Sequence, residues 1–168
     1  MPAMTSKKSP ASSQPIHGTC VAVGRRGVLI RGRSGAGKSD LALRLIADGA
    51  RLVADDQVLL RRVAGKMIAS APKTLCGLIE VRGIGIVSVP TTFSVPLCLI
   101  VDLVSLRAVP RLPEMVFATM AGIAVPLVKL TPFEASAPLK VRLALRFGAG
   151  STGGHRRSRL PSARTSPL

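Results

Sequence analysis

The chain has no tryptophan, no tyrosine and only four phenylalanines among 168 residues. Its core must therefore be built from Val, Leu, Ile and Ala, and base stacking of the kind used by single-strand binders is a poor prospect. Acids are scarce too: eight Asp and Glu stand against 24 Lys and Arg, a net charge of +16. Cysteine is limited to Cys20, Cys76 and Cys98. Their odd number, wide spacing and lack of a C-x-x-C pair argue against a disulfide framework or a thiolate metal cage. Each lies in an apolar run, which predicts buried, reduced thiols and a cytoplasmic location. Long hydrophobic runs are missing as well. Val95 to Val104 is the longest, and with Pro96 and Asp102 inside it the stretch is too short to span a bilayer. Residues 1–15 lack the apolar segment of a signal peptide, so a protein without membrane insertion is expected.

What is present is apolar aliphatic sequence in quantity. Hydrophobic residues make up 47% of the chain, enough for one domain with a sizeable core. The composition divides it into a Ser/Pro/Ala/Lys-rich leader over 1–15, a globular domain over 16–148, and a Gly/Ser/Arg/Pro-rich tail over 149–168. Leader and tail are expected to be disordered. Between residues 17 and 148, 18 basic residues against eight acids leave +10. Such a surface favours an anionic partner, with nucleotide, nucleic acid, acidic protein and acidic lipid all consistent with charge alone.

Gly32-Arg33-Ser34-Gly35-Ala36-Gly37-Lys38-Ser39 fits G-x-x-x-x-G-K-[ST] without a mismatch. In such a loop the glycines let successive backbone N–H groups turn inward around phosphate oxygens. The lysine reaches the β- and γ-phosphates, and the serine hydroxyl ligates Mg²⁺. The flanks agree: Gly27 to Arg31 reads as a buried strand and Lys38 to about Asp48 as an amphipathic helix closed by Gly49. The helix N-terminus then faces the anion.

Phosphoryl transfer also needs a metal and a group that orients or deprotonates the nucleophile. Arg51 to Asp56 reads as a strand ending in two carboxylates, Asp55 and Asp56. If it lies beside the strand that feeds the loop, one carboxylate can hold Mg²⁺ and the other accept a proton. Alternation along a strand points the two apart. The pair alone also suits an exposed acidic turn. Glu80 and Arg82, among Gly77, Gly83 and Gly85, form a second cluster: a further metal ligand and a cation for developing charge. From the pattern alone, a surface salt bridge beside flexible loops is the better account of that pair. His17 is placed just before a strand pair, at Thr19–Val23 and Val28–Arg31. Further strands are expected at Val58–Val63, Met67–Ser70, Val95–Leu103 and Ile123–Leu130, with Pro126 marking an edge or bulge, and a helix from Pro138 through Phe147.

Taken together, His17-Gly18-Thr19, Gly27 to Ile30, Gly32 to Leu45, Leu52 to Asp56 and Gly77 to Ile86 resemble the catalytic domain of bacterial HPr kinase/phosphorylase. The matches are collinear over roughly residues 16–90. Gly77-Leu78-Ile79-Glu80-Val81-Arg82-Gly83-Ile84-Gly85-Ile86 is the most specific of them. Arg111 to Glu114 and Lys140 to Leu145 resemble the short form found in α-proteobacteria. The resemblance implies an α/β fold with a P-loop core related to phosphoenolpyruvate carboxykinase, assembled as a hexamer. It implies an ATP- and Mg²⁺-dependent kinase acting on a serine of HPr, a phosphocarrier of the sugar phosphotransferase system. Many members also reverse the reaction with inorganic phosphate. By the same resemblance Asp55 is the base, with His17 close to it. Lys38 and the backbone of residues 32–39 hold phosphates. Ser39 and Glu80 serve the metal with Asp56 nearby, and Arg82 contacts phosphate or substrate. The family's Pro-Gly-Arg-type loop has no clear counterpart; Leu130-Thr131-Pro132-Phe133-Glu134 stands near its expected place. A P-loop small-molecule kinase and a nucleotide-binding sensor without turnover are the competing readings, and no specific nucleic-acid partner is expected.

Overall fold

A computed structural model describes residues 14–148, so the expected tail and most of the expected leader lie outside the described residues. The chain enters as β1 (Gln14–His17), two residues inside the expected leader, followed by β2 (Thr19–Val23) and β3 (Arg26–Arg31). The phosphate-type loop leads into α1 (Lys38–Ala47). Then come β4 (Arg51–Ala54), β5 (Gln57–Val63), β6 (Lys66–Ser70), the hairpin β7 (Leu78–Val81) and β8 (Gly85–Ser88), and the long β9 (Ser94–Leu103). A second hairpin, β10 (Val116–Met120) and β11 (Ile123–Leu130), precedes α2 (Ala137–Phe147). β1, β7, β8 and β10 were not anticipated from the sequence. Each is short and, apart from the buried Ile79 of β7, largely exposed or half-buried, so it carries little apolar signal.

Nine strands form one mixed sheet in the order β1-β5-β6-β9-β3-β2-β4, with β11 also on β9 and β10 on β11. β9 serves three neighbours. It runs parallel to β3, antiparallel to β6 through Ser94–Pro96, and parallel to β11 through Ile100–Leu103. Pro126 pairs with Phe117 of β10 and precedes the β9 pairing, which begins at Leu127. Its missing N–H therefore falls outside that ladder, as the edge-or-bulge reading requires.

The sheet is buried on both faces, which explains the continuous apolar runs of its central strands. Val28, Leu29, Ile30, Leu99, Ile100 and Val101 are all fully buried. One face packs under α1 and α2 through Val21, Ile30, Leu41, Leu45, Val141 and Leu145. The other is covered by the folded-over β5–β6 hairpin through Val58, Leu60, Met67 and Ala69. In α2 the buried residues Ala137, Val141 and Leu145 recur every four positions, whereas Leu139, Leu143 and Phe147 face outward. That outward leucine row is why the helix showed no clean face in the sequence. None of the four phenylalanines enters the core; each is at least half exposed. Of the three cysteines only Cys20 is fully buried. Cys76 and Cys98 are partly exposed free thiols, which corrects the expectation for those two.

The topology places the chemistry. β2 is antiparallel to both β3 and β4, so β3, β4, β9 and β11 all point the same way. β4 does not lie directly beside β3 as the sequence suggested, because β2 stands between them. The carboxyl ends still share one sheet edge, the usual ligand edge of α/β sheets. The segments leaving that edge are the 32–39 loop, Asp55-Asp56 and Thr131–Glu134.

Candidate functional site

The loop from Gly32 to Ser39 makes a tight return into α1. Gly35 and Gly37 hold φ of 74° and 91°, conformations that side chains resist. Gly37 is the N-cap of α1 and carries no capping side chain, leaving the first-turn N–H groups for a ligand. Lys38 folds back over the loop. Its Nζ donates to the carbonyls of Gly32 at 3.0 Å and Arg33 at 2.9 Å, and the side chain is buried. The ammonium is thus held at the mouth of the loop by two carbonyls, with one N–H left over.

Asp55 is the meeting point of the site. Thr19 Oγ1 donates to its Oδ1 at 2.7 Å, and Ser39 Oγ donates to the same oxygen at 3.1 Å. The backbone N–H of Glu80 donates to Oδ2 at 3.3 Å. One carboxylate therefore ties together β2, the phosphate-type loop and the β7–β8 hairpin. Asp56 points elsewhere, as the sequence suggested, but the cause is the turn beyond the end of β4 at Ala54 rather than alternation along a strand. Its φ of 67° turns the chain sharply into β5, and its carboxylate meets His17 Nδ1 at 3.1 Å on the exposed surface. The Gly18 N–H, donating to the Asp56 carbonyl at 3.1 Å, fixes this corner.

Of the residues singled out in the sequence, Lys38, Ser39, Asp55 and the backbone of Glu80 converge. His17 and Asp56 pair with each other one position away. Arg82 lies exposed in the turn between β7 and β8, and the Glu80 side chain is exposed too. Among the described residues, no three His, Cys, Asp or Glu side chains are grouped to cage a metal. Sequence reasoning did not pick out Thr19 as a site residue. Its one signal is a hydroxyl in an otherwise apolar strand, at a fully buried position. Arg44 was missed as well. It pairs with Asp40 and donates to the carbonyls of Pro132 and Glu134, clasping the Thr131–Glu134 loop to α1. Near the same edge, Arg31 and Asp102 form a two-pronged ion pair at 2.7 and 2.9 Å between β3 and β9.

Fold and site together define a phosphate-loop α/β domain in which the loop serine faces a strand-end carboxylate. The family described as HPr Serine kinase C-terminal domain matches residues 8–107, well over half of the chain, and the chain belongs to that family. It is 50% identical over 78 residues to the HPr kinase/phosphorylase of Clostridium tetani, covering 46% of this chain and 26% of that protein. With the enzyme of the same name from Exiguobacterium sibiricum it shares 46% identity over 84 residues, 49% of this chain and 27% of the relative. The matched region thus spans about a quarter of the length of these curated relatives. The solved structure of the Hpr(Ser) kinase/phosphatase from Coxiella burnetii superposes with a TM-score of 0.70 at 30% identity, over 79% of this chain and 88% of that one. The α/β expectation is borne out by that likeness.

Proposed function

We propose that the domain is an ATP-dependent protein-serine kinase whose substrate is the phosphocarrier HPr. The observation that carries this reading is the convergence of Ser39, Thr19 and the Glu80 N–H on the Asp55 carboxylate. It couples a phosphate cradle to a potential proton acceptor, and the names of the relatives supply the substrate class.

Within this reading the backbone of residues 32–39 and Lys38 hold the β- and γ-phosphates. Lys38 exchanges its two carbonyl partners for phosphate oxygens, a shift its flexible stem allows. Asp55 takes the proton of the attacking serine hydroxyl. Its Oδ1 is occupied by Thr19 and Ser39, whereas the contacts of Oδ2, at 3.3 and 3.4 Å, are long. Oδ2 is therefore the oxygen with capacity to spare. In the reverse direction the same carboxyl, protonated, returns the proton to serine as inorganic phosphate removes the phosphoryl group and pyrophosphate leaves. His17 orients Asp56 beside it. Arg82, on the open hairpin turn, meets phosphate or the incoming protein.

The donor set fits Mg²⁺. Ser39 Oγ and the neighbouring carboxylates are hard oxygen ligands, and Mg²⁺ commonly binds through one or two carboxylates plus substrate phosphates and water rather than an all-protein cage. Ser39 would hold the ion and Glu80 would serve it, with Asp56, turned towards His17, nearby. When bound, the ion neutralises charge on the β- and γ-oxygens. Assembly as a cytoplasmic hexamer belongs to the same reading by family resemblance. Among the described residues no helix is long and apolar enough to cross a membrane.

The test is transfer of labelled γ-phosphate from Mg-ATP to purified HPr, run beside Lys38→Ala and Asp55→Asn. Transfer to serine, lost in both variants, is expected. Binding of Mg-ATP with no transfer by the wild-type chain would overturn the kinase reading in favour of a nucleotide sensor or a small-molecule kinase.

A further inference from the structure

The segment joining β11 to α2 lies against the phosphate loop. A Cβ built on Gly37 would stand 2.9 Å from Phe133 Cζ and 3.0 Å from Pro132 Cβ. The backbone on both sides of this ring is fixed. Arg44 donates from Nη1 to the Glu134 carbonyl at 3.1 Å and from Nη2 to the Pro132 carbonyl, while also pairing with Asp40. Lys140 holds the Glu134 carboxylate at 2.5 Å. Yet the ring between these anchors is 69% exposed. Its edge touches the loop and most of its surface is open. An aromatic ring held at its backbone and bare on its surface suits a flat, polarisable ligand.

The direction of the site agrees. Ser39 faces Asp55, the end at which the transferred phosphoryl group must lie. Asp40 is about 100° further round α1 and pairs with Arg44, which in turn reaches the Pro132 and Glu134 carbonyls. A nucleotide with its γ-phosphate towards Asp55 leaves its pentose and base for another side of the loop. Phe133 is the aromatic ring that the fold sets against Gly37 there.

We infer that Phe133 is the platform on which the base of the bound nucleotide rests, a binding contact that does not discriminate between bases. The inference rests on the proposed nucleotide at residues 32–39. Stacking uses the π-face that every base has, so ATP and GTP are expected to bind with similar affinity.

The test uses the full chain and compares Mg-ATP, Mg-GTP and inorganic tripolyphosphate by titration calorimetry. Phe133→Ala should weaken both nucleotides by about tenfold or more and leave tripolyphosphate within about twofold. Phe133→Trp should restore nucleotide affinity. Because the chain has no other tryptophan, its fluorescence should be quenched by ATP and not by tripolyphosphate. Equal losses for nucleotide and tripolyphosphate would overturn the inference, since Phe133 would then only shape the loop through Gly37. Unchanged nucleotide affinity in Phe133→Ala would overturn it too. A wild-type chain that binds tripolyphosphate but shows no gain from the base refutes the platform alone. A wild-type chain that binds neither refutes the phosphate-loop reading and the platform with it.

Discussion

Replacing Asp55 with Asn keeps the shape of the side chain and removes its charge. The oxygen that accepts from Thr19 at 2.7 Å remains; the second oxygen becomes an NH₂ facing the Glu80 N–H, which also donates. Two donors then oppose each other where a charge-assisted bond stood. Hydrogen bonds to charged groups contribute about 1.5–3 kcal/mol net, and neutral ones about 0.5–1.5. With the Thr19 bond kept in neutral form and the longer contacts half-exposed, the loss of stability is about 1–2 kcal/mol. That lowers the melting midpoint by roughly 3–8 °C. Measured against a typical total of about 5–15 kcal/mol, the variant stays folded at 25 °C. Catalysis suffers more. A positioned general base contributes about 10²–10⁴ in rate, equivalent to roughly 3–5 kcal/mol of barrier. Phosphoryl transfer to HPr should therefore fall at least about a hundredfold. Mg-ATP affinity should change by only a few-fold, since Asp55 makes no contact with Lys38. The assay pairs initial rates of labelled transfer with calorimetric ATP binding and a thermal melt on one preparation. Transfer at the wild-type rate would show that Asp55 is not the base. A midpoint lowered by more than about 15 °C would show that its main role is to hold β2, the loop and the hairpin together.

Three other perturbations follow from the same geometry. Gly37→Ala meets a backbone at φ 91° and a Cβ position 2.9 Å from Phe133, so it should cost about 1–3 kcal/mol in stability and weaken tripolyphosphate and ATP alike, as read by melting and calorimetry. Burial pushes the Cys20 thiol up from 9.0 to about 12. A disulfide-exchange reagent at pH 8 should titrate Cys76 and Cys98 in the native chain and reach Cys20 only after denaturation. The sign of the linkage follows: the unfolded thiol ionises above 9.0 while the native one keeps its proton. This contribution to stability is thus intact below pH 9.0 and is lost as pH rises towards 12, which denaturant midpoints across that range will register. Ile84 and Ile86 are 77% and 72% exposed on the hairpin whose Glu80 N–H reaches Asp55. Changing both to Ser should raise KM for HPr by about tenfold with ATP affinity unchanged; an unaltered KM would remove this hairpin from the docking surface.

The sequence by itself determined the local features. The 32–39 loop, the strand before it and the helix after it are set by glycine conformations and by the apolar pattern of ten or so adjacent residues. Asp55 and Asp56 at a strand end, the β5–β6 hairpin and the core strand from Ser94 to Leu103 were legible for the same reason. Only the tertiary structure decided which side chains meet. Thr19 and Asp55 are 36 positions apart, and Arg44 and Glu134 are 90. No local period encodes a contact across β2, nor the seat of Phe133 on Gly37. The residue types alone did not say which of the two adjacent carboxylates meets which partner. The αL turn at Asp56 separates them, sending one to Ser39 and the other to His17 at the surface. That division arises because parallel β3, β4, β9 and β11 bring their carboxyl ends to one edge, a property of strand order that no short segment carries alone.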